Sequence, residues 1–380
     1  MNKNIQNPED LLNDPIEVRE EYFMNRNINH PHLRTAFKDV MEKIMDSKKG
    51  KVYLVFGPTG VGKSTLFLRV KNEILSLNEA EMQRNRGIIP VVSLELPSPD
   101  NGKFNWKDFY QRILIEFNEP LIGKKTDYEN PGRKSRIRNY LPNTAPELRK
   151  SLENAICYRE TKVVLLDEAQ HLLKTSSGKR LNDQMDSIKS IANLTGAIFV
   201  LFGTYELMNF FDLNGQLSRR TNEIHFPRYD FKNKQDVQIF RSVINTFQTQ
   251  LPLKVEPDLL SNWRFLYERS VGCIGILKEW LDSCFKDALR TQAPTITVEM
   301  LKKHAPAPRK AHKIANEAID GERNFEHQED KLNELQVLLG LSEDNDRIKT
   351  NTSVSKQSKN KRVGIRKPIR DKTGIVEENE

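Results

Sequence analysis

Residues 57–65 read GPTGVGKST and follow directly on the apolar, β-branched run KVYLVF at 51–56. A strand that ends at a glycine, turns through two more and enters a helix has few ways to fold. Gly57, Gly60 and Gly62 let main-chain N–H groups wrap closely around an anion, and the helix N-terminus adds its partial positive charge. The spacing is G-x-x-x-x-G-K-[ST], in which Lys63 reaches the β- and γ-phosphates and the Ser64 hydroxyl serves Mg²⁺. The pocket is therefore expected to comprise Gly57, Pro58, Thr59, Gly60, Val61, Gly62, Lys63, Ser64 and Thr65, with ATP and Mg²⁺ as ligands.

A second apolar strand, VVLL at 163–166, ends in Asp167-Glu168 about one hundred residues later. The carboxylate of Asp167 is expected to hold Mg²⁺ with Ser64, and that of Glu168 to polarise the attacking water. Another strand, 197–202, ends in Gly203-Thr204, which places a polar hydroxyl where the γ-phosphate would lie. Downstream stand Arg219 and Arg220, either of which could reach the γ-phosphate of a neighbouring subunit. Strands at 51–56, 88–96, 162–166 and 197–202 alternate with helices at 63–77, 106–117 and 183–192, which predicts an α/β fold with a parallel sheet covered on both faces. A short fifth strand is expected at 225–227. After Tyr229 the pattern turns wholly helical, at 235–249, 258–269, 276–290 and 298–304. The expected organisation is an arm at 1–30, a nucleotide-binding core at 31–229 and a helical lid at 230–304. A linker with an amphipathic helix at 326–339 fills 305–340, and a basic tail, disordered when free, fills 341–380.

Of 380 residues, 60 are Lys or Arg and 52 are Asp or Glu, a net +8. Between Lys349 and Lys372 nine basic residues face one acid, Asp371, so this stretch by itself carries the whole excess and the remainder of the chain is neutral. Net charge therefore says little about the folded body. Within it, Lys124, Lys125, Arg133, Lys134, Arg136 and Arg138 oppose only Asp127 and Glu129, with Lys103 and Lys107 upstream. Such a stretch could line a duplex through sequence-independent phosphate contacts, or be a solvated loop. Trp106 and Tyr110, four apart on a helix, fit a core better than base stacking. The tail could touch DNA, dock a partner or remain solvated. His30 and His32 read as a helix start, and the three cysteines lack metal or disulfide spacing. No apolar run is long enough for a membrane span and the first residues lack a leader pattern, so a cytoplasmic protein is expected.

Walker A, Walker B, a polar sensor, an arginine finger and a helical lid, in this order, resemble the AAA+ superfamily of P-loop NTPases. FPRYDF at 226–231 looks like the lid entry of its origin-recognition branch. The run IIPVVSLELPSP into FNWKDFYQRILIEFNEPL, with DEAQH, LFGTYEL and GQLSRR, resembles the TnsC/TniB group of transposition regulators over about residues 30–300. That resemblance implies an ATPase that forms a homo-oligomeric ring or filament on double-stranded DNA at the nucleoid. It further implies a target-selection protein as partner, and a transposase engaged through the C-terminal tail. Where the branch offers a sensor-two arginine, VGCIGILKEW places Gly275 or Ile276, with Lys278 one turn on as a possible substitute. Hydrolysis is then expected to be slow, a timer for assembly. The alternatives are a loader or motor of the replication-initiator type and a nucleotide-gated scaffold that does not bind DNA.

Overall fold

The computed structural model describes residues 8–47, 50–99, 102–120, 122, 144–174, 178–210, 221–326 and 339. Two compact units divide the chain, Met1–Glu326 and His327–Glu380, and every described helix and strand belongs to the first. Helices α1 (Ile16–Met24) and α2 (Pro31–Asp46) precede β1 (Val52–Phe56). Next come α3 (Lys63–Leu77), α4 (Glu79–Arg84), β2 (Val91–Glu95), α5 (Trp106–Glu116) and α6 (Ala145–Tyr158). The core ends with β3 (Val163–Asp167), α7 (Gly178–Thr195), β4 (Ile198–Gly203) and β5 (Thr221–His225). Helices α8 (Lys234–Gln250), α9 (Trp263–Ser270), α10 (Ile274–Arg290), α11 (Val298–His304) and α12 (Pro308–Glu326) complete the unit.

The five strands form one sheet in the order β2-β3-β4-β1-β5, every pair parallel. In β1, β3 and β4 every residue is buried, as continuous apolar runs in a doubly covered sheet require. Alternate residues serve opposite faces. Leu54, Phe56, Val164, Leu166, Phe199 and Leu201 meet α5, α6 and α7, while Tyr53, Val55, Leu165, Val200 and Phe202 meet α2 and α3. The fifth strand lies at Thr221–His225, earlier than the expected 225–227. It pairs along all of β1, from Val52 with Thr221 to Phe56 with His225, after which Phe226 N–H donates to Phe56 O and leaves the ladder.

The lid has its own core, built on Phe240, Phe247, Leu266, Leu277, Trp280, Leu281 and Phe285. Residues 1–30, expected to be an arm, carry α1, whose Phe23 is fully buried in that lid core. Phe23 meets Phe247 and Phe285 edge-on, with centroids 6.2 and 5.3 Å apart, and Arg19 Nε donates to Pro252 O at 3.1 Å. A further departure concerns 305–309. Pro308 is the first residue of α12, a helix that runs through most of the expected linker. Ala311 and Ile314 of α12 pack on Val271, Cys273 and Ile276. Glu322 pairs with the buried Arg228 at 2.9 Å, and Phe325 lies 4.5 Å from His225. The helix expected at 326–339 lies outside the described residues apart from its ends.

Candidate functional site

Parallel strands put all their C-terminal ends on one edge of the sheet, the edge where open α/β folds bind ligands. Here the register sets Phe56 level with Gly203 and His225, so the loops after β1, β3 and β4 converge. The loop after β1 fits only because of its glycines. A Cβ on Gly57 would lie 2.1 Å from Phe226 O, and Gly60, at φ +78°, would meet Ile276 Cγ1 at 2.4 Å. Lys63, the first residue of α3, is buried, and its Nζ donates to Gly57 O at 3.0 Å and Pro58 O at 2.8 Å. Burial pushes its pKa down, against the opposing pull of Glu168 and Asp167.

Ser64 Oγ donates to Asp167 Oδ2 at 2.8 Å, and Glu168 N–H donates to the other oxygen, Oδ1, at 2.9 Å. Burial raises the Asp167 pKa and these two hydrogen bonds lower it, with the net shift upward. Glu168 itself sits at φ +52°, a left-handed conformation that costs a non-glycine residue on the order of 1 kcal/mol. Thr204 Oγ1, just past the end of β4, is buried and has no hydrogen-bond partner among the described residues. Hydroxyl and carboxylate oxygens at the Ser64–Asp167 pair are the hard donors Mg²⁺ prefers, and an ammonium bonded to two carbonyls is suited to exchange them for phosphate. The residues present therefore fit Mg-ATP.

The lid closes on this loop directly. Gly275 N–H and Ile276 N–H both donate to Gly60 O, at 2.8 and 3.3 Å. Lys278, the possible sensor-two substitute, is committed elsewhere: Nζ donates to Phe23 O at 2.7 Å and to Asp282, and lies 3.9 Å from the Phe23 ring centre. Between the start of α2, the phosphate loop and the start of α10 lies a cavity of about 190 Å³, with Ile28, Val61 and Ile274 as apolar walls and His30 and Thr65 as polar ones. Sequence reasoning missed it because its walls come from three distant segments. From the far side, Glu317 of α12 accepts a hydrogen bond from Thr59 Oγ1 at 3.3 Å.

His30 caps α2: Nδ1 accepts from Leu33 N–H at 3.4 Å and lies 2.9 Å from Tyr229 Oη. Burial pushes its pKa down to about 3, and that of His225, bonded to Tyr205 Oη, to about 4. Unfolded, both titrate near 6.5. The unfolded chain thus takes up protons below that pH that the folded chain refuses until pH 3–4, so stability is full above about pH 6.5 and falls as pH drops towards 4. Thermal unfolding should show this slope. His30→Asn, which keeps a capping oxygen but cannot titrate, should remove the His30 share of it and leave that of His225.

Lys103 is exposed and Lys107 half-buried, while Tyr110 is buried and packed with Trp106 and Phe109. Lys124, Lys125, Arg133, Lys134, Arg136, Arg138, Arg219 and Arg220 lie outside the described residues, as does the C-terminal tail.

An AAA-domain family model matches residues 46–211. With that match stands the sheet order, with the phosphate loop after β1, Asp-Glu after β3, a polar residue after β4 and a helical lid behind β5. The fold is that of an AAA+ ATPase. Among solved structures, this chain is similar to the ORC1 protein of Aeropyrum pernix in complex with DNA. That likeness has TM-score 0.50 and 16% identity, and covers 74% of this chain and 68% of that one. The ORC2 protein of the same organism gives TM-score 0.47 and 12% identity over 74% and 70%. A phosphate import ATP-binding protein PstB of Synechococcus sp. (strain CC9902) is 33% identical over 132 residues, which is 35% of this chain and 45% of that protein. The chain thus spans less than half the length of the curated relative it matches. No helix among the described residues is long and apolar enough to cross a membrane.

Proposed function

We propose that this chain hydrolyses ATP as a slow timer for a DNA-transposition regulator. The ATP-bound form assembles on duplex DNA and recruits a transposase, and hydrolysis dismantles the assembly. The observation that carries the chemistry is the Ser64–Asp167 hydrogen bond beside buried Lys63, with Glu168 fixed next to it by its own backbone. Ser64 and Asp167 would hold Mg²⁺, which supplies charge neutralisation at the phosphates. Lys63 exchanges the Gly57 and Pro58 carbonyls for phosphate oxygens, and the N–H groups of residues 60–65 cradle them. The base enters the cavity between Ile28, Val61 and Ile274. Glu168 takes the proton of the attacking water, and Thr204 offers its unpartnered hydroxyl beside the γ-phosphate. Arg220, or Arg219, completes the site of a neighbouring subunit.

Support for the transposition reading comes from the combined TnsC/TniB-like segments of the sequence. A second reading, a loader of the replication-initiator type, is the one the fold likeness to ORC1 favours. Duplex contacts are assigned to Lys103, Lys107 and the basic residues at 124–138, because an assembly along DNA needs each subunit to present a few cations at one radius. Negative-stain imaging with a non-hydrolysable ATP analogue tests this. Assemblies should form on duplex DNA. Deleting the residues after Leu341 should largely spare them and harm transposase recruitment, whereas neutralising Lys103 with the 124–138 cations should do the reverse and flatten the salt dependence. Assembly without DNA would favour a scaffold, processive strand separation a motor. Loss of assembly on truncation alone would move the DNA site to the tail.

A further inference from the structure

Gln170 lies three residues past Asp167, is 7% exposed, and bonds at both ends of its amide. Its Nε2 donates to Glu168 Oε2, while its Oε1 accepts the Thr204 N–H at 3.3 Å. Only this orientation of the amide satisfies both partners. Reversed, it would set oxygen against carboxylate and an NH₂ group against an N–H. Gly203 makes the arrangement possible, because a Cβ there would lie 2.5 Å from Gln170 Oε1 and 2.8 Å from Leu207 Cδ1. The two elements so joined, the turn after β3 and the end of β4, carry the carboxylate proposed to activate water and the hydroxyl proposed to meet the γ-phosphate.

We propose that Gln170 is a positioning residue for hydrolysis: it holds one oxygen of the Glu168 carboxylate, leaves the other for the attacking water, and ties that orientation to the backbone of Thr204. This rests on the reading of Glu168 as the base. Glu168 sits in a turn at φ +52°, and within that turn the Gln170 amide holds its carboxylate. Burial makes the tie exclusive, because little water can reach the amide to replace either bond. Gln170 touches no substrate atom in this scheme. Its loss should therefore slow turnover and leave nucleotide affinity as it was.

Gln170→Met fills the same volume without a donor or acceptor, and Gly203→Ala pushes the amide away while leaving Gln170 in place. In the full chain, kcat should fall roughly 10-fold in each, with KM and the Kd for Mg-ATP within about 2-fold of the parent. The double variant should be no slower than about 2-fold below Gln170→Met, since both changes break one tie. Glu168→Gln, assayed alongside, separates the layers. If it retains turnover, the reading of Glu168 fails. If it is inactive while Gln170→Met turns over as the parent does, the positioning role fails. A Kd that rises in step with the loss of kcat in both variants would also overturn it, as a general loosening of the pocket. Should Gln170→Met not fold, the kcat and Kd of Gly203→Ala decide by the same criteria.

Discussion

Lys63→Ala is expected to weaken Mg-ATP binding by at least about 100-fold, equivalent to roughly 2.7 kcal/mol. The side chain is a buried ammonium facing two loop carbonyls. Because it is already buried, exchanging carbonyls for phosphate oxygens gains charge-assisted bonds at little further desolvation cost. Alanine removes the cation and leaves the β- and γ-phosphates uncompensated. Isothermal titration measures the loss directly. Thermal unfolding supplies the control: the parent should gain stability with added Mg-ATP and the variant should not. Affinity within a few-fold of the parent would contradict the role assigned to the loop.

For Glu168→Gln the expected result is the opposite split. Mg-ATP affinity should stay within about 3-fold, because Ser64 and Asp167 keep their bond and Lys63 is untouched. Turnover should fall about 10²–10⁴-fold, the range associated with loss of a positioned general base. An amide of the same shape cannot take a proton from water. On DNA, assemblies of this variant should persist long after those of the parent have come apart. Rapid disassembly would separate the lifetime of the assembly from hydrolysis altogether.

The phosphate loop, its strand and the Asp-Glu pair were legible in the sequence because each is local: a few adjacent residues carry both the pattern and the chemistry. Strand β5 was displaced by a few residues because its limits come from pairing with β1 and not from its own composition. Helix α1 gave no signal, since Phe23 is its one buried residue and no apolar stripe accompanies it. Helix α12 was concealed by APAPR. Its buried apolar side chains are only Ala311, Ile314 and Ala318 among the described residues, and the sign that could have revealed it is Pro308, suited to the first position of a helix. The Gln170 amide was out of reach for another reason. DEAQ shows that a glutamine is present, but nothing local shows that Thr204, thirty-four positions on, lies within its reach.

The burial of Phe23 also bears on how the polypeptide is made. Arg19 and Pro252 are 233 positions apart, and Phe23 and Lys278 are 255. On a ribosome adding about 5–20 residues per second, α1 emerges on the order of tens of seconds before the helices that complete its core. Until then Phe23 has no native partner, and the nascent chain exposes an aromatic side chain of the kind chaperones hold. Contacts of such sequence separation also slow folding once synthesis ends. A ribosome stalled between β5 and α10 would therefore display a phosphate loop still lacking its Gly275 and Ile276 contacts, beside an orphaned first helix.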